Sequence, residues 1–364
     1  MTSRKRRLMQ RVELPAQLPT PLRGTLRPLL CLGLALLATT LFAEGLEVED
    51  STLAGDRPNA SGAATEVRLD VFIFDIDEID DVKQRFSADV FAHIAWHDPR
   101  LALPIGEQKG QIRSIPLNDI WTPRGMLLND RGLTRLLPYV VQVDDQGNVQ
   151  YVQRLTGDLA ADLDFKEFPF DVQTLPIDII SYQHSPQEVF FSQDVVIGSR
   201  NKPFSIEGWR LTIMEPEYGE FLVPSTGAIR PRLTHFVTAK RNTQYYFFTM
   251  FLPMTLIVFM AWTAFWLQPD IVPARMAIST ASIFSLIAFG FSIRMSLPPV
   301  SYMTRADQFT LGCTLLVFLA LGVSVAGSRM ASSDRMKQAL RLNAAARWVY
   351  VILFLFVAAT SLLL

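Results

Sequence analysis

The stretch "PARMAISTASIFSLIAFGFSIR", residues 273–294, is almost free of charge and carries an arginine near each end. Its uncharged part is long enough for about 27 Å of α-helix, close to the hydrocarbon thickness of a bilayer. Three other apolar runs in the last third of the chain have comparable length. The sequence therefore predicts a transmembrane bundle of four helices in residues 243–364, at about 243–267, 273–295, 302–328 and 340–364.

Residues 66–242 differ from this part, because they have mixed charge, frequent Gly and Pro, and short alternating runs. "SADVFAHIAWHD", residues 87–98, places Phe91 on one face of a strand and the larger apolar set on the other. "DQGN", residues 145–148, is typical of a hairpin turn. Short strands without helical periodicity predict an immunoglobulin-like antiparallel β-sandwich ahead of the membrane helices.

The N-terminus indicates export of this β domain. Residues 1–43 combine a basic lead with the apolar run "LLCLGLALLATTLFA" and are predicted to be a signal peptide, with a retained helix as the alternative. Residues 44–65 have little apolar content and are predicted to be a flexible lead.

Charge between the last two membrane spans predicts the orientation. One aspartate, Asp334, faces five basic residues there: Arg329, Arg335, Lys337, Arg341 and Arg347. Such a basic connection belongs in the cytoplasm. With four spans, we therefore expect a multi-pass membrane protein whose β domain and C-terminus lie outside the cytoplasm.

Several function classes are disfavoured by the composition. The formal net charge is −1, which argues against a nucleic-acid partner. The two cysteines, Cys31 and Cys313, lie outside residues 66–242, so no disulfide is expected in the β domain. The four histidines show no metal-ligand spacing, and no phosphate loop or nucleophile elbow occurs. We expect neither an enzyme nor a cofactor or metal.

Four motifs carry a resemblance to a known family. "AWHDPRL" (95–101), "DIWTPRGMLLN" (119–129), "FKEFPFDVQTLPI" (165–177) and "RNTQYYFFTMFLPM" (241–254) resemble the signature stretches of pentameric ligand-gated ion channels, the Cys-loop receptors. The likeness keeps the order and spacing of the family from about residue 66 onward. Ala161 and Leu175 stand where animal members have paired cysteines, and the short connection before the last span is similar to that of prokaryotic members.

The resemblance implies a homopentamer of identical subunits in membrane lipid, with inorganic ions crossing along a shared axis. A small-molecule agonist or protons would open it. Two alternatives remain: a cation-selective, proton- or amine-gated channel of the same family, and a membrane-tethered binding receptor that does not conduct.

One face of the helix at 273–295 is a candidate pore wall. Its residues recur at helical spacing: Ala277, Ala281, Phe284, Ala288, Phe291 and Met295. Small residues at this spacing also suit a helix-packing seam. In the family this helix lines the pore, which implies that Phe284 and Phe291 form apolar collars that act as the gate.

The ends of this helix bear on ion selectivity. "PAR", residues 273–275, and the "SLPPVSY" that begins at Ser296 are similar to anion-selective members of the family. The resemblance implies that Arg275 and Arg294 form rings that favour anions such as chloride. Anchoring at the two headgroup layers is the alternative for both arginines. Asp270, near the inner mouth, favours cations instead.

The resemblance also implies a ligand site between subunits and a coupling cluster above the membrane. Tyr182 falls on the principal side of the ligand site, Phe91 on the complementary side, and Tyr218 and Phe221 in the capping loop. An aromatic box suits a cationic amine, whereas packing is the simpler role for each ring, and protons acting on carboxylates or on His235 are another route to opening. The implied coupling residues are Asp81, Asp171, Arg241, Pro298 and Tyr302.

Overall fold

The computed structural model describes residues 52–60, 62–104, 110–193, 197–199, 204–294 and 300–362. The predicted signal peptide lies outside these residues. Part of the predicted flexible lead is described, and it has regular structure: a helical turn spans Thr52–Gly55. Arg57 donates to the carbonyl oxygen of Ala63 at 2.8 Å and to Thr65 Oγ1 at 3.1 Å. The later half of that lead is therefore tied to the first strand.

The N-terminal part is the predicted β-sandwich. An eight-stranded sheet has the order β10-β1-β2-β7-β6-β3, with β5 on β7 and β9 on β1. Its strands are β1 (Thr65–Asp80), β2 (Arg85–His97), β3 (Arg113–Pro116), β5 (Thr134–Arg135), β6 (Val140–Val143), β7 (Asn148–Ala160), β9 (Val189–Phe191) and β10 (Ile197–Ser199). A five-stranded sheet has the order β11-β13-β8-β4, with β12 on β13. Its strands are β4 (Gly125–Leu127), β8 (Val172–Ser181), β11 (Trp209–Ile213), β12 (Glu217–Leu222) and β13 (Ile229–Arg241).

The sandwich core comes from the inward side of each alternating strand. Val90, Ala92 and Trp96 on β2 are buried, as predicted, and Phe91 between them is only partly buried. The predicted turn joins β6 to β7, where Asp144 accepts from the backbone N–H groups of Gln146 and Asn148. Its glycine has φ of 83°, which other residues rarely adopt. The fold prediction is confirmed.

Four helices long and apolar enough to cross a membrane follow the sandwich in the described part of the chain. They are α1 (Thr243–Thr263), α2 (Val272–Arg294), α3 (Arg305–Ser332) and α4 (Met336–Leu362). A π-helical segment, Phe247–Phe251, lies in α1 just before Pro253. Proline lacks an N–H for the regular helical ladder, which accounts for the local change in pitch.

The connection between α3 and α4 is shorter than predicted. The sequence suggested a loop over about 329–339, whereas both helices continue and leave only residues 333–335 between them. Arg, Lys, Gln and Ala in this stretch are good helix formers, so the helices extend past the apolar segments. Asp334, at φ of 58°, makes the reversal.

Candidate functional site

The candidate pore face of α2 is exposed in the single chain. Phe284 and Phe291 are 67% and 66% exposed, and Ala277, Ala281 and Ala288 are exposed on the same side. The opposite side packs into the bundle, where Leu286 is 2% exposed and Ser279 and Ser282 are buried. The predicted stripe is thus a continuous free surface of one subunit. Met295 lies outside the described residues.

Arg275 departs from the predicted position. Its side chain is 0% exposed and points into the helix bundle of its own subunit, where Nη2 donates to Asn343 Oδ1 on α4 at 2.9 Å. It therefore does not share the face of Phe284, and the prediction of an arginine ring exposed at the inner mouth does not fit this placement. Arg294, the last residue of α2, and Asp270, just before α2, are both exposed.

Tyr182 lies at the end of β8, next to the "WTPRGMLLN" segment. The backbone N–H of Tyr182 donates to the carbonyl of Arg124 at 3.2 Å, and Ser181 Oγ donates to the carbonyl of Pro123 at 2.5 Å. The ring is 41% exposed and borders an open cavity of about 300 Å³ at the edge of the sandwich, to which Trp96 and Tyr139 also contribute. Tyr182 is accessible from the edge of the five-stranded sheet.

The two aromatics of the capping hairpin lie on opposite faces. Tyr218 pairs with Leu233 of β13, and Phe221 pairs with Arg230. Leu233 is 0% exposed and belongs to the sandwich interior, so Tyr218 faces inward, and it packs against the core. Phe221 is on the outward face. The structure therefore does not place Tyr218 and Phe221 on one face of the predicted capping loop, and Tyr218 is the one that faces away from Tyr182.

Arginines on this outward face were missed from the sequence. Continuing the register of β8 and β13 by two residues places Tyr182 opposite Arg230, and Arg230 is itself opposite Phe221. Nearby, Arg232 donates to both oxygens of Asp178 at 2.7 and 2.6 Å. Arg230 therefore lies between Tyr182 and Phe221 on the outward face of this sheet. The alternation of residues 229–241 in the sequence indicates which side chains point outward. Only the strand pairing shows that Arg230 is the neighbour of Tyr182 and Phe221.

Phe91 lies on the other sheet and also has a neighbouring arginine. Arg154 of β7 pairs across from Phe91, and its guanidinium carbon lies 5.2 Å from the Phe91 ring centroid and 5.1 Å from that of Phe74. Asp89 accepts from Arg154 at 2.9 and 2.5 Å. The hydrogen bonds to Asp89 raise the pKa of Arg154. This face of the eight-stranded sheet therefore offers an aromatic ring with a fixed guanidinium.

The predicted coupling residues Asp81, Asp171 and Arg241 meet below the sandwich. Arg241 donates to Asp171 at 2.8 and 3.0 Å and to Asp81 at 2.8 and 3.1 Å. Its guanidinium carbon lies 4.0 Å from the centroid of Trp209. Burial alone would lower the pKa of Arg241, but the bonds to the two carboxylates outweigh it and the pKa is raised. We name these residues the Arg241 cluster.

The segment 165–168 docks on the start of α3 beside this cluster. The backbone N–H groups of Arg305 and Ala306 donate to the carbonyls of Lys166 and Phe168 at 3.1 and 3.2 Å. Tyr302 Oη accepts from the backbone N–H of Phe165 at 3.0 Å. Tyr302 is therefore in direct contact with the sandwich, in keeping with its predicted role, whereas Pro298 lies outside the described residues.

His235 is a buried titratable group in the sandwich. Its side chain is 0% exposed, and neither ring nitrogen has a hydrogen-bond partner among the described residues. It shares the inward face of β13 with Leu233, Val237 and Ala239. Burial lowers the pKa of His235 to about 4, and the charge of Asp70 opposes the shift. The imidazole is neutral near pH 7.

The last strand of the β-sandwich leads directly into four helices that are long and apolar enough to cross a membrane. Two family models match the chain: the neurotransmitter-gated ion-channel ligand binding domain over residues 54–209 and the neurotransmitter-gated ion-channel transmembrane region over residues 250–358. The chain belongs to the Cys-loop family of pentameric ligand-gated ion channels. This family consists of channels and not of enzymes.

Similar curated proteins include the gamma-aminobutyric acid receptor subunits alpha-3 of Rattus norvegicus, Bos taurus and Homo sapiens. Each is 30% identical to this chain over 280 residues, which covers 73% of this chain and 55% of the relative. The chain thus spans about half the length of the curated relatives it matches.

Proposed function

We propose that the chain forms a homopentameric, anion-selective channel, with α2 of every subunit lining the pore and a small ligand acting on the β-sandwich. The match of residues 250–358 to the neurotransmitter-gated ion-channel transmembrane region carries this proposal, and α2 offers a free face for it: Phe284 and Phe291 are more than half exposed, whereas the other face of the helix is packed within the subunit. The short connection at 333–335 and the N-terminal sequence support a prokaryotic protein of an inner membrane, with the sandwich in the periplasm.

The two phenylalanines are the proposed gate. Around a shared axis, each would form an apolar collar, and Ala288 between them, with Ala277 and Ala281 before Phe284, leaves wider zones. An ion at such a collar loses hydrating water that no side chain replaces, and a narrow apolar constriction can empty of water. Opening then requires α2 to tilt or turn so that the rings of Phe284 leave the axis.

Anion selectivity is supported by the charges of α2. The helix has no carboxylate, and its formal charges are those of Arg275 and Arg294. Arg294 is exposed at one end, and Arg275 adds a charge from inside the bundle at the other. The positive end of the helix dipole adds to the charge of Arg275, because Arg275 lies in the first turn. Asp270 is the opposing charge.

The ligand site favours a molecule that carries both a positively charged ammonium group and a negatively charged carboxylate. Tyr182 and Phe221 offer rings to an ammonium group, with about 0.5 to 2 kcal/mol for each cation–π contact. Arg230, opposite Phe221, and Arg154, beside Phe91, offer guanidinium groups to a carboxylate. Because the relatives above are named for gamma-aminobutyric acid, this zwitterion is the first ligand to test.

Recording from purified protein in planar bilayers tests conduction and selectivity together. We expect currents that reverse near the chloride equilibrium potential under a salt gradient, and we expect Phe284→Ser to conduct without ligand. Reversal near the cation equilibrium potential identifies the cation-selective alternative. Silence of both wild type and Phe284→Ser, over gamma-aminobutyric acid and acid pH, identifies a receptor that does not conduct.

The ligand residues are tested by dose–response curves with gamma-aminobutyric acid as the probe. Tyr182→Ala should raise the half-maximal concentration about tenfold or more, which corresponds to about 1.4 kcal/mol. Tyr218→Phe is the matched control, because Tyr218 faces the sandwich interior. An unchanged curve for Tyr182→Ala removes Tyr182 from the site, and opening by acid alone assigns gating to protons.

A further inference from the structure

The Arg275 side chain is buried with little to compensate its charge. Its Nη2 donates to Asn343 Oδ1, whereas Nε and Nη1 have no hydrogen-bond partner among the described residues. No ion pair joins Arg275 to a carboxylate within the same residues. Arginine does not lose its proton in proteins, so the positive charge persists there. Ionisable groups inside membrane bundles are rare and usually functional.

Asn343 on α4 is built to hold this guanidinium. It is 2% exposed, its Oδ1 accepts from Arg275, and its Nδ2 donates to the carbonyl of Leu267 at 3.3 Å, after the end of α1. One amide thus connects α2, α4 and the end of α1. Because an amide is neutral, it orients the guanidinium and leaves the charge uncancelled.

Gly327 on α3 makes room for the same group. A Cβ added at Gly327 would lie 3.3 Å from Arg275 Nη1 and 3.5 Å from Asn343 Oδ1. An alanine at this position would therefore require the guanidinium to move by a few tenths of an ångström. Three helices of one subunit, α2, α3 and α4, fix the position of the charge.

The exposed face of α2 lies about one helix diameter, roughly 10 Å, from this guanidinium. At that distance a charge surrounded by packed helices still acts on an ion in the pore, since a protein interior screens less than water does. The identical charge in every subunit would act on the same ion.

We propose that Asn343 is a positioning residue for ion selectivity, which holds the uncancelled charge of Arg275 behind the pore wall. This inference rests on the proposed anion-selective function. It differs from a ring of exposed arginines, because the guanidinium touches no ion and acts through the helix. A residue on α4, remote from the pore face, thereby contributes to selectivity.

Asn343→Asp and Asn343→Leu form a matched pair for the test. Both keep the approximate size of the side chain and remove the donor to Leu267, but only Asn343→Asp places a negative charge beside Arg275. We expect Asn343→Asp to lower the chloride-to-sodium permeability ratio by about tenfold in bilayer recordings, and Arg275→Gln to do the same. Asn343→Leu keeps the charge of Arg275 but removes the oxygen to which its Nη2 donates, so it should lower the ratio by about threefold, less than Asn343→Asp.

The outcomes separate this inference from the proposed function. If wild type prefers cations, the proposed function fails on its own. If wild type prefers anions and Asn343→Leu keeps the wild-type ratio, or Asn343→Asp lowers the ratio no further than Asn343→Leu does, the inference is overturned. Thermal unfolding of the detergent-solubilised variants provides the second measurement: a purely structural role of Asn343 predicts equal instability of both variants and equal permeability ratios.

Discussion

Two buried arginines of this chain have opposite environments. Arg241, at the base of the sandwich, has a side chain that is 3% exposed and that meets Asp81, Asp171 and the ring of Trp209. Arg275, in the membrane bundle, is 0% exposed and has one amide partner. The charge of Arg241 is compensated by the carboxylates of Asp81 and Asp171. The charge of Arg275 has only a neutral amide beside it among the described residues. Burial of an arginine therefore indicates a function only when its partners are known.

The largest expected effect distinguishes the two arginines by stability. Arg241→Gln leaves the buried carboxylate of Asp171 and the partly buried carboxylate of Asp81 without a cation, which costs about 3 to 5 kcal/mol. Arg275→Gln removes an unpaired charge and leaves no carboxylate behind, so stability should be equal to or above that of wild type. Thermal unfolding of the solubilised protein measures both. Equal destabilisation by the two variants would break the comparison.

The agonist responses of the same two variants sharpen the comparison between Arg241 and Arg275. Arg241 connects β13 to residues beside the start of α1, where the hydroxyl of Tyr246 lies 3.3 Å from Arg241 Nη1. Protein with Arg241→Gln that still reaches the membrane should therefore not respond to agonist, whereas Arg275→Gln should respond with altered selectivity. Surface labelling controls for the amount of protein.

A third buried basic group, His235, differs from both arginines because it can lose its proton. The folded chain has a His235 pKa of about 4, against about 6.5 unfolded. Between these values the unfolded state binds the extra proton, so stability is full above about pH 6.5 and falls by about 3 kcal/mol toward pH 4. His235→Leu should remove this part of the pH dependence.

Denaturant unfolding of wild type and His235→Leu at several pH values measures how the free energy of unfolding changes with pH. His97→Gln is the control, because His97 is exposed and its ring contacts Asn148 at the surface. A slope that persists unchanged in His235→Leu assigns the acid sensitivity to other groups. The comparison would then reduce to the two arginines.

The sequence predicted the elements of the fold better than the directions of single side chains. Membrane spans and the sandwich follow from length and alternation, which are local properties. The family resemblance was enough to select Asp81, Asp171 and Arg241, and these three residues do meet in the structure. The orientation of Arg275 depends instead on α3 and α4, whose contact with α2 no local pattern specifies. Arg154 was missed for the same reason, because its neighbour Phe91 lies on a strand that is adjacent in the sheet but far away in the sequence.

The smallest expected effect concerns the space around Arg275. Gly327→Ala and Gly322→Ala both place a better helix former in α3, a gain of up to about 1 kcal/mol. A Cβ at Gly322 meets nothing within 4 Å, whereas one at Gly327 crowds Arg275 and Asn343. Gly322→Ala should therefore be the more stable of the two, by about 1 kcal/mol. Equal melting temperatures would mean that the guanidinium shifts freely, and a charge that shifts freely is not positioned by Asn343.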